Sequence, residues 1–123
     1  MDRLLAGRLV LVVEDEPFVA LDVAQGLQAA GANVLMARLV ADAMLKAEEP
    51  ALSAAVLDHG LSDGDTSQVC DKLKKRHVPF VLYSGYSKIA GACSKGVQVH
   101  KPASPEVLVS TLVGLLRSRP ISN

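Results

Sequence analysis

The chain has 123 residues, half of them hydrophobic, with 13 basic and 13 acidic side chains, so it is long enough for one domain with a buried core. Because the formal net charge is zero, we do not expect a nucleic-acid-binding protein, which usually has a basic surplus. The N-terminal region has the pattern of neither a signal peptide nor a membrane span, so we expect a cytoplasmic protein with no membrane partner.

Short, apolar, mostly β-branched runs alternate along the chain with longer segments of helical character. The runs are typical of strands buried on both faces, as in a parallel sheet covered by helices. The predicted strands are Leu9–Val13, Val34–Met36, Ala54–Leu57, Phe80–Tyr83 and Val97–Val99.

Helices are predicted between these strands. The first extends from Phe18 to Ala30, where Phe18, Leu21 and Leu27 recur at helical spacing and Gly31 can end the helix. The other clear helices are predicted at Val40–Glu49, at Thr66–Arg76 and from a Ser104 cap to about Arg117.

The segment from Ser84 to Gly96 differs from the other helical segments. It has three glycines and three serines in thirteen residues, so any fourth helix there should be short or irregular. Strand and helix still alternate five times. With right-handed crossovers, this order predicts a doubly wound α/β fold with a parallel sheet.

Polar residues follow four of the five predicted strands, at the carboxyl ends where doubly wound sheets bind ligands. Clustered carboxylates repel one another, and Mg²⁺ relieves this repulsion because it prefers carboxylates together with water and phosphate oxygens. Asp58 would then act as a nucleophile toward a phosphoryl group, with Lys101 contacting a phosphoryl oxygen. The residues after the four strands are Glu14-Asp15-Glu16, Asp58, Ser84-Gly85 and Lys101-Pro102.

Three smaller features agree with this interpretation. Ser84 offers a hydroxyl group, and Gly85 leaves room for the backbone to approach a bulky anion. A cis peptide bond between Lys101 and Pro102 would fix the direction of the lysine.

From Val10 to about Arg117, these residues and their spacing resemble the receiver domain of two-component response regulators. The resemblance implies one receiver domain over residues 1–123, with its core at about 8–117 and no output domain. The implied fold is flavodoxin-like, with a five-stranded sheet in the order 2-1-3-4-5. The segments that carry the resemblance are Val12–Glu16, Leu57-Asp58 with Gly64, Tyr83–Gly85 and Lys101-Pro102.

The resemblance also implies a role for each site residue. Asp58 would be the phosphoacceptor, Asp15 a direct Mg²⁺ ligand and Glu14 a ligand through water. The backbone carbonyl of Gly60 would be a further metal contact. The implied function is that of a phosphoacceptor in a phosphorelay, supplied by a histidine kinase or a histidine phosphotransferase and signalling through protein–protein contacts. Enzymatic activity beyond self-phosphorylation and slow autodephosphorylation is not expected.

The switch residues depart from the usual receiver pattern. By resemblance, Ser84 and Lys101 are the switch hydroxyl and the phosphate-contacting lysine. Gln98 lies where many receivers have a Tyr or Phe that moves inward on activation. Gly85 and Tyr86, at the start of the glycine-rich segment, are therefore further switch candidates.

The stretch Pro79–Tyr86 resembles the Pro-Phe-x-Phe-Ala-Thr-Gly-Tyr motif of single-domain regulators typical of alphaproteobacteria. Proteins of that subgroup are similar in having a poorly ordered fourth helix and in working with HWE-type histidine kinases. Here Leu82-Tyr83-Ser84 stands where the subgroup has Phe-Ala-Thr.

Other functions remain open at this point, and so does a homodimer. A phosphorylation-independent pseudo-receiver adaptor would have the same fold. A metal-dependent phosphohydrolase with an aspartyl-phosphate intermediate would need a second acid two residues after Asp58, where Gly60 stands. A flavodoxin-like flavin carrier would need a loop rich in Ser, Thr and Gly after the first strand, where Glu14-Asp15-Glu16 would repel an anion.

The two cysteines, Cys70 and Cys93, match no metal-site spacing and no disulfide framework. Buried thiols behave as small hydrophobic side chains, and the cytoplasm keeps thiols reduced. We therefore expect both cysteines to be reduced.

Overall fold

The computed structural model of the chain describes residues 3–85, 93 and 95–118. The strands are β1 (Leu9–Val13), β2 (Asn33–Ala37), β3 (Leu52–Leu57), β4 (Gly60–Leu61), β5 (Gly64–Asp65), β6 (Phe80–Ser84) and β7 (Val97–His100). The helices are α1 (Pro17–Ala29), α2 (Val40–Lys46), α3 (Ser67–Lys75) and α4 (Pro105–Ser118).

Five of the strands form one parallel sheet in the order β2-β1-β3-β6-β7. The central strand β1 pairs on both sides, with Val13 opposite Ala37 of β2 and Leu57 of β3. Counting only the strands of this sheet, the order is the expected 2-1-3-4-5. The predicted doubly wound, flavodoxin-like fold is confirmed.

The sheet has a hydrophobic core on each face. Leu11 and Val13 of β1 pack on the side of α2 and α3, whereas Val10 and Val12 pack on the side of α1 and α4. Successive side chains of a strand point to opposite faces, which is why one apolar strand serves both cores. The residues that follow β1 are therefore held by a strand that is covered on both sides.

The buried face of α1 excludes two of the apolar residues that recur at helical spacing. Val23 and Leu27 are buried, but Phe18 is 81% exposed and Leu21 is 51% exposed. Each residue turns a helix by roughly 100°, and Phe18 is out of phase with the buried series that Ala20 begins. The helix predicted at Phe18–Ala30 is present as α1, but Phe18 and Leu21 are not part of its buried face.

Two local features also differ from the prediction. Helix α2 ends at Lys46 rather than Glu49, because the residue before Pro50 is disfavoured in a helical conformation. The short strands β4 and β5, which were not predicted, pair antiparallel in the loop after Asp58. Gly64 in this hairpin has a φ of 141°, a backbone conformation that favours glycine.

Cys70 of α3 and Cys93 are joined by a disulfide bond. Their Cα atoms lie 5.0 Å apart, within the range that a disulfide requires, and both side chains are buried. The prediction that both thiols are reduced is therefore wrong. The disulfide could not be predicted from the sequence, since the two cysteines are 23 residues apart and come together only when the sheet folds.

Residues 86–92 and 94 lie outside the described part of the chain. They include Tyr86 and most of the segment for which a short or irregular fourth helix is predicted, so both stay predictions. Among the described residues, no helix is long and apolar enough to span a membrane.

Candidate functional site

The backbone at the ends of β1 and β3 positions the acidic residues. The Glu14 N–H group donates a hydrogen bond of 3.0 Å to the carbonyl of Ala37, and the Asp58 N–H group donates one of 2.9 Å to the carbonyl of Val13. The hydrogen-bond ladder thus extends one residue beyond each strand. The backbone of both acids is fixed relative to the sheet.

Glu14, Asp15 and Asp58 form a carboxylate cluster, in which one oxygen of each lies within 4.8 Å of the others. Glu14 is buried, with 4% exposure, whereas Asp15 and Asp58 are partly exposed. Oxygen ligands at this spacing, open to water on one side, fit a hard divalent cation such as Mg²⁺. Within the described part of the chain, this is the one group of acidic, His and Cys side chains with such geometry.

Lys101 contacts two members of this carboxylate cluster. Its Nζ lies 2.8 Å from Oε1 of Glu14 and 3.3 Å from Oδ2 of Asp58. The backbone N–H group of Lys101 donates a hydrogen bond of 3.0 Å to the backbone carbonyl of Ser84, and the Lys101–Pro102 peptide bond is cis. One ammonium group therefore balances part of the charge of three carboxylates.

Burial and hydrogen bonding have opposite effects on the pKa values of Glu14 and Lys101. Burial raises the pKa of Glu14, although hydrogen bonds from Lys101 and from the Glu16 backbone act in the other direction. Burial alone would lower the pKa of Lys101, but the hydrogen bond to Glu14 and the charge of Asp58 outweigh it and raise that pKa. Lys101 therefore stays positively charged at neutral pH.

Ser84 and Gly85 lie next to Lys101 at the same end of the sheet. Ser84 is fully buried at the end of β6, opposite His100 of β7. Gly85 is exposed, and a Cβ atom placed there would meet no atom of the described residues within 4 Å. The space beside Gly85 suits an anion that approaches the backbone.

Gly60 and Gln98, two further residues singled out in the sequence, lie in β4 and β7. Gly60 is half-buried, begins β4 and pairs with Asp65 of β5. Gln98 is half-buried in β7, opposite Leu82 of β6. The roles of the Gly60 carbonyl in metal binding and of Gln98 in switching stay predictions.

Thr66 is a site residue that the sequence interpretation missed. Its buried hydroxyl lies 2.9 Å from the carbonyl of Asp58 and 3.0 Å from that of His59, and its N–H group also donates to His59. A threonine before a helix suggests a capping residue, but here the hydroxyl bonds the loop after Asp58 instead of the helix. Thr66 thus links the start of α3 to Asp58.

Tyr83 is a second residue that was missed. Its hydroxyl donates to the carbonyl of Ala103 at 2.9 Å and accepts from the N–H group of the same residue at 3.0 Å. Nζ of Lys101 lies 5.4 Å from the centre of the tyrosine ring, within the range of a cation–π contact. Tyr83 thus connects β6 to the loop that follows Lys101.

No protein-family model matches the chain, and no curated protein matches it. Solved structures do match. A response regulator receiver protein from Sinorhizobium medicae is 23% identical, with a TM-score of 0.80 over 93% of this chain and 98% of that one. The receiver domain of NtrX from Brucella abortus is 26% identical, with a TM-score of 0.77 over 89% of this chain and 99% of that one.

A third neighbour is the receiver domain of a sensor histidine kinase from Pseudomonas aeruginosa, which has a magnesium ion coordinated in its active-site cleft. It is 21% identical, with a TM-score of 0.80 over 92% of this chain and 100% of that domain. The chain has the receiver fold. Its structural neighbours are receiver domains of response regulators and of a histidine kinase, as the sequence pattern predicts. Membership of the alphaproteobacterial single-domain subgroup stays a prediction.

Proposed function

We propose that the chain is the phosphoacceptor of a phosphorelay and that Asp58 takes a phosphoryl group from a histidine kinase or a histidine phosphotransferase. The observation that carries this proposal is the carboxylate cluster with Lys101 bonded to two of its members. The Asp58 side chain is 14% exposed, so a donor can reach it from solvent.

Each residue then has a defined task. An oxygen of Asp58 attacks phosphorus, the bond from phosphorus to the donor's histidine nitrogen breaks, and that nitrogen keeps the electron pair and takes up a proton. The carboxylate cluster and the Gly60 carbonyl would hold Mg²⁺, which would neutralise negative charge on the phosphoryl oxygens. Lys101 and Ser84 bind two of those oxygens after transfer.

Two observations support Mg²⁺ as the cofactor. The carboxylate cluster offers the oxygen ligands that Mg²⁺ prefers. The Pseudomonas aeruginosa receiver domain, a structural neighbour, binds a magnesium ion in its active-site cleft. A phosphorylation-independent adaptor would not need three converging acids and a lysine.

The surface beside the carboxylate cluster fits a protein partner. Phe18 and Leu21 of α1 are exposed, and Leu39, before α2, is 46% exposed. A cavity of about 590 Å³ next to Glu14 is lined by Leu21 and Leu39. We place the helices of a cytoplasmic histidine kinase or phosphotransferase on this surface, since exposed apolar side chains around a reactive group are typical of protein contacts.

The first experiment measures phosphoryl transfer directly. The full chain is incubated with Mg²⁺ and a small phosphodonor such as acetyl phosphate, and its intact mass is followed. The wild type should gain one phosphoryl group and Asp58→Asn none, whereas Asp63→Asn, a change in the same loop, should behave as the wild type. A mass gain in Asp58→Asn equal to that of the wild type contradicts the proposal. Size-exclusion chromatography of the phosphorylated product separately tests whether the protein forms a homodimer.

A further inference from the structure

The disulfide between Cys70 and Cys93 is connected to the loop that carries Asp58. The Cys70 N–H group donates to the carbonyl of Thr66 at 2.9 Å. The hydroxyl of the same threonine contacts the carbonyls of Asp58 and His59. Thr66 is therefore in contact with both the candidate phosphoacceptor and one end of the disulfide.

The other end of the disulfide belongs to the segment that joins β6 to β7. The carbonyl of Cys93 accepts a hydrogen bond of 3.1 Å from Gly96, which packs closely against the ring of Phe80 in β6. Ser84 ends β6 before this segment, and β7 leads from it to Lys101. The disulfide thus links α3 to the connection between the strands that position Ser84 and Lys101.

Two considerations argue against a merely structural disulfide. Small domains use disulfides where the core is too small, but this chain buries apolar residues on both faces of its sheet. In the cytoplasm, where we place the protein, disulfides are usually transient and act in redox sensing or catalysis.

We propose that Cys70 and Cys93 form a thiol–disulfide redox site, which controls the conformation of the 58–66 loop and through it the rate of phosphoryl transfer to Asp58. The effect on transfer rests on the proposed phosphoacceptor function. The oxidised form ties α3 to Cys93 and so restricts the movement of the adjoining 58–66 loop, which makes transfer slower in it than in the reduced form.

The chemistry is thiol–disulfide exchange with a low-molecular-weight thiol. The thiolate attacks one sulfur, the bond between Cys70 and Cys93 breaks, and the released cysteine sulfur takes up a proton. A second thiol resolves the mixed disulfide, so that two electrons and two protons pass to the protein and the small thiol becomes a disulfide. A low-molecular-weight disulfide reverses the reaction.

The test compares oxidised and reduced full chain. Alkylation of the denatured protein establishes the redox state, since both cysteines of the chain react only after reduction. The initial rate of phosphoryl gain from acetyl phosphate should be higher in the reduced form by about fivefold or more, the lower end of typical coupling between two sites. The double variant C70S/C93S should show one rate under both conditions. Equal rates for the two forms of the wild type, or a redox response in the double variant, would overturn the proposal.

A second readout does not depend on phosphorylation. Amide hydrogen exchange in the peptide spanning residues 58–70 should be faster in the reduced wild type and insensitive to reductant in C70S/C93S. If exchange rises on reduction but no form gains a phosphoryl group, the phosphoacceptor function is wrong and the redox control of the loop stands. If transfer occurs at one rate with unchanged exchange, the redox proposal is wrong and the phosphoacceptor function stands.

Discussion

At the level of single residues, Lys101 and a metal ion would compete for the same carboxylate groups. The ammonium group lies 2.8 Å from Glu14 and 3.3 Å from Asp58, two of the three acids in the carboxylate cluster. Like charges repel strongly at such distances away from bulk water. The ammonium group would therefore weaken the binding of a divalent cation by the cluster.

This competition predicts opposite effects of Lys101→Gln on two properties. Mg²⁺ should bind more tightly, by about tenfold or roughly 1.4 kcal/mol, because a competing positive charge is removed. Phosphoryl transfer should slow by about 100-fold, as is usual when a donor to a developing negative charge is lost. Isothermal titration with Mg²⁺ and the rate of mass gain measure the two effects.

The matched control is Lys75→Gln, which removes an exposed lysine that pairs with Asp71 on α3. It should leave both Mg²⁺ affinity and transfer rate unchanged. Weaker Mg²⁺ binding in Lys101→Gln would show that the lysine supports the metal site instead of competing with it.

At the level of helices and strands, the N-terminus of α3 is capped by the side chain of Asp65, the residue before the N-cap position Thr66. Oδ1 of Asp65 accepts a hydrogen bond of 3.0 Å from the Ser67 N–H group and another from the Ser67 hydroxyl. The hydroxyl bond, followed by the backbone bond, lowers the pKa of Asp65 below its ordinary value of 3.8. Because the hydroxyl of Thr66 is engaged by Asp58 and His59, Asp65 supplies the side-chain cap.

Replacing this cap should destabilise the protein in a pH-dependent way. Asp65→Ala should lower the free energy of unfolding at neutral pH by about 0.5 kcal/mol, the low end of the capping range, because the side chain is exposed. Since the folded pKa lies below the unfolded one, the ionised cap stabilises above pH 3.8, and this contribution is lost as the pH falls through the folded pKa. Urea unfolding at neutral and acidic pH measures the effect.

Asp65→Asn is the matched variant, since asparagine also accepts a capping hydrogen bond but does not titrate. It should keep most of the stability at neutral pH and lack the acid-dependent loss at this position. An Asp65→Ala penalty that stays constant down to the acid limit would contradict the role assigned to the carboxylate.

The strands could be predicted from the sequence, but the buried face of α1 could not. Continuous apolar runs such as Leu9–Val13 indicated the strands, because a strand covered on both faces needs no polar side. The buried face of α1 was harder to predict, since Phe18 and Leu21 are apolar and at helical spacing yet exposed. Apolar character alone does not separate a core position from an exposed one.

In the candidate site, too, some residues could be predicted from the sequence and others could not. Glu14, Asp15, Asp58 and Lys101 each follow a strand of the sheet, and the parallel topology alone brings them to one edge. Thr66 could not be predicted, because its contact depends on the loop after Asp58 folding into the unpredicted β4–β5 hairpin. The partners of a buried hydroxyl are tertiary information that a local pattern does not contain.

At the scale of the whole molecule, metal binding should stabilise the fold. A ligand that binds only the folded state adds about 2.7 kcal/mol at a concentration 100 times its Kd. Millimolar Mg²⁺ should therefore raise the melting temperature of the wild type by several degrees. Differential scanning calorimetry at constant ionic strength measures the shift.

The variants that belong to this experiment are Asp15→Asn and Asp71→Asn. The first removes a member of the carboxylate cluster and should abolish the shift. The second changes an acid on α3 that pairs with Lys75 and should leave the shift intact. A shift of equal size in Asp15→Asn would place the metal somewhere else.

The pairing of β1 with β3 has a consequence for how the protein acquires its chemistry. Asp58 lies beside the residues that follow β1 because β3 pairs directly with β1, and the Asp58 N–H group bonds to Val13. If β3 slipped by one residue against β1, Asp58 would point to the other face of the sheet. The carboxylate cluster therefore exists only where β1 and β3 are paired in register, and a partly folded chain that lacks this pairing should be unable to accept a phosphoryl group.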